Sequence, residues 1–412
     1  MRALKVDVLV IGGGAAGLAA ATAAAHQGVR TLLLERDRYL GGVLEQCIHP
    51  GFGLHRYREE LTGPEFAHRL RGELSESGAE VHTEATVLEL DPHGPRVKAV
   101  SPKGVVVFRP RAVVWATGAR ERPLGALRLP GTRPAGIFTA GLAQKLMNIH
   151  GLLPGRRAVI LGSGDIGLIM ARRLHLEGVE VAGVLEIKPF PGGLMRNVVQ
   201  CLEDFGIPLL LRRTVVELHG RGRLSGVTVV EVDEGGRPLP GTAEFLKCDT
   251  LVLSVGLIPE NRLLEPFMPL DPVNQGPRVN SLLQTEAPWL FAAGNNLAVF
   301  DLVDSVAALG ARAGAAAARY AQGELPTGRV VPLVRGENVL HLVPSYLVPG
   351  EPTTVYIRVP RPLPRARVSL GDVVTRNHLG ARPAEMIEFK LAGEELEELV
   401  RLPQVRVEVS PG

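Results

Sequence analysis

Two kinds of hydrophobic pattern alternate along most of this chain, and the alternation starts twice. Residues 6–11 (Val-Asp-Val-Leu-Val-Ile) form a short aliphatic, β-branched run that reads as a buried parallel strand. An Ala-rich helix over 18–26 and a second strand over 29–34 follow, then a helical stretch over about 63–75. Alternating segments over 80–90, 96–100 and 105–109 read as a strand and a small meander, feeding a buried strand over 112–118. The order then restarts, with a strand over 158–161, a helix to about 177 and a strand over 179–185. Thr214-Val215-Val216-Glu217-Leu218 echoes Thr86-Val87-Leu88-Glu89-Leu90, and the strand ending at Gly256 echoes the one ending at Gly118. A third short strand ends at Gly294 and runs into an Ala-rich helix over about 305–321. From about Arg329 the pattern changes to short alternating runs separated by prolines, such as 354–359 and 367–370, with one helix near 394–400.

This pattern predicts an α/β protein with two Rossmann-like dinucleotide-binding domains of the ββα three-layer type, the second inserted in the first, and a small β-rich C-terminal domain. The expected boundaries are 1–120 with 281–328 for the first domain, 121–280 for the second and 329–412 for the tail. The duplication is of domain scale, not a short solenoid repeat.

The turns after the two leading strands carry the chemistry. Gly12, Gly14 and Gly17 form a Gly-x-Gly-x-x-Gly between strand and helix. The first glycine permits the tight turn, the second lets the backbone approach a pyrophosphate, and the third lets helix pack on strand. Glu35 ends the next strand, where a carboxylate accepts the hydroxyls of an adenosine ribose. Gly162, Gly164 and Gly167 repeat the loop, and Glu186 repeats the acid, 24 positions after Gly162 against 23 between Gly12 and Glu35. Two such units predict two dinucleotide sites. Asp165, inside the second loop, is expected to cap its helix by accepting the first amides.

Composition narrows the class. The 412 residues are 45% hydrophobic and 22% charged, as in an ordinary globular protein. A formal net charge of +3, with no run of five basic residues, leaves no electrostatic footprint for nucleic acid. The three cysteines (Cys47, Cys201, Cys248) are scattered without a Cys-x-x-Cys or a metal-ligand spacing, which fits a reducing cytoplasm. The N-terminus reads as a strand and glycine turn instead of a leader, and no segment offers about 18 uninterrupted apolar residues, so no membrane span is expected. Only seven of the 46 basic residues are lysine, and there are 32 prolines, a bias that a thermophilic source and genome base composition both produce.

The ordered set of glycine loop, Ala116-Thr117-Gly118, second glycine loop and Gly294-Asn295 resembles the two-dinucleotide-binding-domain flavoproteins, the pyridine-nucleotide-disulfide and thioredoxin reductases, over roughly 4–325. That resemblance implies FAD on the first loop, lined by Gly12, Gly14, Ala16, Gly17, Glu35, Arg36, Gly42, Val87 (through its backbone), Thr117, Gly118, Gly294, Asn295, Asp301 and Val303. It implies NAD(H) on the second, held by Gly162, Gly164, Asp165, Ile166, Gly167 and Glu186. Glu186 favours NADH, because a carboxylate repels a 2′-phosphate, and Lys188 weakens that preference slightly. The chain departs from the family in carrying Asn295 where Asp is usual, and in lacking the paired redox cysteines. Residues 41–53, 185–194 and 301–304 are similar to a narrower group of NAD-linked FAD oxidoreductases, which work beside a second flavoprotein resembling glycerol-3-phosphate dehydrogenase. A second flavoprotein subunit is therefore an expected partner.

Three features stay open at this level. The Asp301–Val303 turn either presents helix amides to a reduced flavin or is an ordinary helix start with Asp301 as N-cap. Cys47 is either a redox-active thiol, as in single-cysteine NADH oxidases, peroxidases or persulfide reductases, or a buried small hydrophobe. His49 and His55 either donate to a substrate or sit in a turn. The leading expectation is an FAD-dependent oxidoreductase that takes hydride from NADH and passes electrons to an unidentified acceptor. The alternatives are a free-standing enzyme using Cys47 and a flavoprotein whose redox state gates partner binding through the tail.

Overall fold

The computed structural model describes residues 3–325 and 328–412. The chain forms two compact units, one made of residues 1–119 and 259–412 and the other of residues 120–258.

The first unit is built on a five-stranded parallel sheet ordered Leu290–Ala292, Ala112–Trp115, Val8–Ile11, Thr31–Leu34, Glu80–His82. Its three inner strands and the edge strand Leu290–Ala292 are buried at every position, as their unbroken aliphatic sequences require of strands covered on both faces. The opening helix, Ala15–Ala25, has nine of its 11 residues buried, and its small side chains allow close packing against the long helix Val303–Gln322. At that crossing a Cβ on Gly310 would lie 2.1 Å from the Ala16 oxygen, and one on Gly314 2.0 Å from that of Ala20. A four-stranded sheet, Ala3–Lys5 with Gly104–Arg109, Val97–Ser101 and Thr86–Leu90, contributes Val97, Ala99 and Phe108 to the same core. The helix Gly63–Ser77 starts where Thr62 and Glu65 form a capping box and ends at Gly78 in the left-handed conformation.

The second unit repeats the plan. Its parallel sheet runs Ile137–Thr139, Thr250–Leu253, Arg157–Leu161, Glu180–Glu186, Leu209–Leu211, with a three-stranded antiparallel sheet of Arg213–Gly220, Leu224–Glu231 and Glu244–Lys247. The α/β organisation with two nucleotide-binding folds, the second inserted in the first, is thus borne out. The copies differ in the order of one strand. In the first, the edge strand at Leu290–Ala292 follows the insert, whereas in the second the corresponding edge, Ile137–Thr139, precedes the glycine loop.

Two boundaries differ from expectation. The insert ends at Ile258, not at 280, because Leu264 and Met268 are buried in the core of the first unit. The tail has its own core, from Val331 to Val409, made by two sheets and the helix Gly393–Leu399, yet it belongs to the first unit. Ion pairs fasten it there. Arg335 holds Asp271 with both guanidinium nitrogens at 3.0 and 2.8 Å, and Arg358 holds Asp301 at 2.7 Å. Cys248 lies in the connection between the strands Glu244–Lys247 and Thr250–Leu253, not on a strand, and is buried there.

Candidate functional site

In the first unit the glycine loop is closed by its own sheet. Gly12, at φ +107°, donates to the Leu34 oxygen at 2.8 Å, and a Cβ there would lie 2.4 Å from the Ala116 oxygen. A Cβ on Gly17 would lie 1.7 Å from the Gly12 oxygen, so helix and turn touch only because neither has a side chain. Gly14, by contrast, has nothing within 4 Å on that side. It is the N-cap of the opening helix, with no side-chain cap and no acid in the first turn, so the helix presents free amides and its positive end at an open flank. Glu35 is buried. Its Oε2 accepts from Gly13 N at 2.6 Å and its Oε1 from Asp37 N at 2.8 Å. The backbone of 82–85 brackets it: Glu35 N donates to His82 and Ala85 N returns a bond to the Glu35 oxygen. Arg36, next to it, is exposed.

The second unit repeats this arrangement. Gly162 N donates to the Leu185 oxygen at 2.7 Å, and Glu186, also buried, accepts from Ser163 N at 3.1 Å and Lys188 N at 2.9 Å. A Cβ on Gly167 would lie 2.5 Å from the Gly162 oxygen, and Gly164 leaves an open flank with only the Ser254 hydroxyl at 3.7 Å. Ile166 is half-buried in the first turn of Asp165–Leu176. A further echo went unread in the sequence. Gly41-Gly42 and Gly192-Gly193 stand six and seven positions after the two acids, and both pairs fold back onto their glycine loops. Gly41 N donates to the Gly13 oxygen at 2.8 Å, and Gly192 N to the Ser163 hydroxyl at 2.8 Å. Both loops therefore fit an adenine dinucleotide: a glycine turn, free helix amides and a buried carboxylate at the end of the next strand.

Other predicted residues gather at the first loop. A Cβ on Gly294 (φ +85°) would lie 2.9 Å from the Cβ of Ala16, and one on Gly42 (φ +58°) 3.2 Å from Gly14 Cα. Gly118, at φ +66°, faces open space, while the Thr117 hydroxyl is committed to the Glu260 oxygen at 2.7 Å. The Asn295 Oδ1 accepts from Phe300 N at 3.0 Å. Val87 pairs with Ala99 just before a register shift in the strand pair. Val303 is the first residue of its helix.

Two expectations are corrected. Asp165 does not cap its own helix. Its Oδ1 accepts from Leu194 N at 2.8 Å and from Asn197 Nδ2 at 2.6 Å, tying the Gly192-Gly193 segment to the loop. Asp301 is not an N-cap, since Leu302 occupies that position, and its carboxylate accepts from Arg358 at 2.7 Å and from Met386 N at 2.9 Å. The acid that matters at this helix start is Asp304, which the sequence reading did not single out. Buried, it accepts from the amides of Gly53, His55 and Arg56 at 3.2, 3.2 and 2.8 Å, and so fixes the 53–56 loop on the helix N-terminus.

Cys47 is 8% exposed, its Sγ donates to the Val43 oxygen at 3.3 Å, and burial pushes its thiol up to about 12. That is the environment of a packing thiol, not of an activated thiolate. His49 is half-buried, with Nδ1 3.0 Å from the Pro50 oxygen and its ring 5.0 Å from that of Phe52, and His55 is exposed. Among the described residues there is no group of three His, Cys, Asp or Glu fit to hold a metal, and no helix is long and apolar enough to cross a membrane.

Comparison with known proteins agrees with both loops. The match to the pyridine nucleotide-disulphide oxidoreductase family spans residues 6–310. The hydrogen cyanide synthase subunit HcnB of Pseudomonas aeruginosa is 28% identical over 282 residues, 63% of this chain and 59% of its own length. The sarcosine oxidase subunit alpha of Corynebacterium sp. (strain P-1) is 29% identical over 385 residues, 86% of this chain but only 36% of its own length. The chain thus spans well under two thirds of these relatives. Among solved structures, thioredoxin reductase of T. acidophilum superposes with a TM-score of 0.63 at 22% identity, covering 77% of this chain and 99% of that one. The duplicated glycine loops, their buried acids and the family match over both units agree, and the chain belongs to the pyridine nucleotide-disulphide oxidoreductase family.

Proposed function

We propose that this protein takes hydride from NADH onto FAD and passes the electrons to a separate acceptor, as one subunit of a larger flavoprotein assembly. The observation that carries the reading is that one chain holds two complete dinucleotide cradles but no Cys-x-x-Cys through which a disulfide is reduced. When bound, the flavin supplies the redox chemistry and the nicotinamide the hydride, so the protein needs no acid or base for that step. This chain's residues bind and orient. The first loop is assigned to FAD because its own unit supplies further close contacts, Gly294 against Ala16 and Gly42 against Gly14, and the open backbone at Gly118. Glu35 takes the adenosine ribose, with Val87 beside it through its backbone, and the amides of Ala15–Ala25 take the pyrophosphate. The second loop is assigned to NADH, with Glu186 on the ribose, where its charge disfavours a 2′-phosphate. The start of Val303–Gln322, held by Asp304 against the 53–56 loop, points a helix N-terminus suited to negative charge on a reduced flavin.

That several relatives are named as subunits, among them those of hydrogen cyanide synthase and sarcosine oxidase, supports a partner flavoprotein. A free-standing peroxidase or persulfide reductase is disfavoured by the buried, protonated state of Cys47.

The purified protein should carry FAD and bleach anaerobically with NADH faster than with NADPH. FAD-loaded protein that neither nucleotide reduces would overturn the electron path. Protein isolated from its own cells that runs only as copies of this chain would overturn the subunit reading.

A further inference from the structure

The two cradles differ at one residue inside the loop, Gly13 in the first and Ser163 in the second. Gly13 gives the ribose acid a single backbone bond. Ser163 gives two: its amide at 3.1 Å and its hydroxyl at 2.5 Å both reach Glu186 Oε2. The same hydroxyl accepts from Gly192 N at 2.8 Å, and Ser163 is fully buried. With Lys188 N on Oε1, the Glu186 carboxylate is held on both oxygens by three donors. A charge-assisted bond from a buried hydroxyl is among the stronger neutral-donor contacts a carboxylate makes.

We propose that Ser163 is the positioning residue that sets the choice between NAD and NADP at the second loop. It acts through Glu186, and this inference rests on assigning the nicotinamide nucleotide to that loop. A carboxylate held by its two amide donors alone would turn more readily from a 2′-phosphate and tolerate it. One locked by the hydroxyl has no such freedom, and rejection is correspondingly firmer. Lys188, two positions after Glu186, is the cation nearest to it in sequence, with Nζ 5.7 Å from the Phe190 ring centroid. The Gly192 bond adds to the lock. It fixes the Gly192-Gly193 segment, whose Leu194 amide is in turn held by Asp165, so the loop beside the acid cannot move out to make room.

The test is calorimetric binding of NAD⁺ and NADP⁺ to FAD-loaded protein carrying Ser163→Gly, which installs the residue of the first copy, and Ser163→Ala. Flavin content and the unfolding midpoint identify any variant that fails to fold. We expect the ratio of the two dissociation constants, NADP⁺ over NAD⁺, to fall about tenfold in both variants, ~1.4 kcal/mol of discrimination. A purely structural role for Ser163 would weaken both nucleotides alike and leave the ratio unchanged, which would overturn the inference. Glu186→Gln separates this from failure of the underlying assignment. If that variant loses the discrimination while the Ser163 variants keep it, the assignment stands and the role of Ser163 falls. If Glu186→Gln also leaves the ratio unchanged, both fall.

Discussion

A single residue's partners decide what its chemistry can be. Cys47 sits at the end of the short 3-10 turn Gly42–Gln46, five positions after Gly42, where the sequence permits a redox thiol. Its surroundings give it the opposite character. Gly63, whose amide donates to the Cys47 oxygen at 2.8 Å, lies so close that an added Cβ would stand 2.8 Å from the Cys47 Cβ. With the thiol pushed from its ordinary 9.0 up to about 12, its thiolate fraction at neutral pH is roughly a thousandfold below that of a free cysteine. Burial likewise raises Cys201, and pushes Cys248 up to about 12. Native protein at pH 7.5 should therefore show no rapidly reacting thiol with a maleimide or an aromatic disulfide, and three after denaturation. A fast stoichiometric reaction at Cys47, mapped by mass spectrometry, would restore the redox thiol as a contender.

At the scale of elements, the packing of Ala15–Ala25 against Val303–Gln322 links stability to the cofactor. Gly310 and Gly314 are one turn apart on the long helix and face the backbone oxygens of Ala16 and Ala20. No rotamer relieves a clash with backbone, so the helices must separate to admit even a methyl group. Gly314→Ala should cost ~1–3 kcal/mol of stability. Because the displaced helix is the one whose N-terminus we propose takes the pyrophosphate, the FAD-to-protein ratio should drop with it. Measuring both in one preparation checks the link: a destabilised variant with full FAD content would break it. The Ala-rich composition of both helices was plain in the sequence, but which glycines meet which carbonyls was not. Helical periodicity gives a face without naming the face it meets.

Over the whole molecule, the same seam that fastens the tail to the first unit makes stability depend on pH. His341 is half-buried beside Arg335 and Arg358, and its Nδ1 is buried without a hydrogen-bond partner. Burial first, and those two guanidinium groups next, push it down to about 4, while Asp271 opposes them weakly. The folded protein keeps this imidazole neutral where the unfolded chain, titrating near 6.5, takes up a proton. Stability is thus fully present above about pH 6.5 and is lost as pH falls toward about 4, by up to ~3 kcal/mol. Denaturant unfolding across pH 7.5 to 4.5 should show that loss, and His341→Leu should flatten it. An unchanged slope in the variant would place the titrating group elsewhere. Asp271, held below its ordinary range by Arg335, adds its own loss only at lower pH. As for legibility, the strands, both glycine loops and the two buried acids Glu35 and Glu186 were readable from sequence, because tight turns need glycine and buried parallel strands need unbroken aliphatic runs, whatever the rest of the chain does. Those requirements are local, so the sequence alone determined a duplicated dinucleotide-binding protein. Only the tertiary structure decided where the remaining charged and polar groups spend their bonds. Asp304 meets the Gly53 amide 251 positions away, Asp301 meets Arg358 57 positions on, and Asp165 reaches Asn197 across 32. A side chain's hydrogen-bond partner is set by which distant segments the folded sheets and helices bring beside it, and no local pattern carries that information.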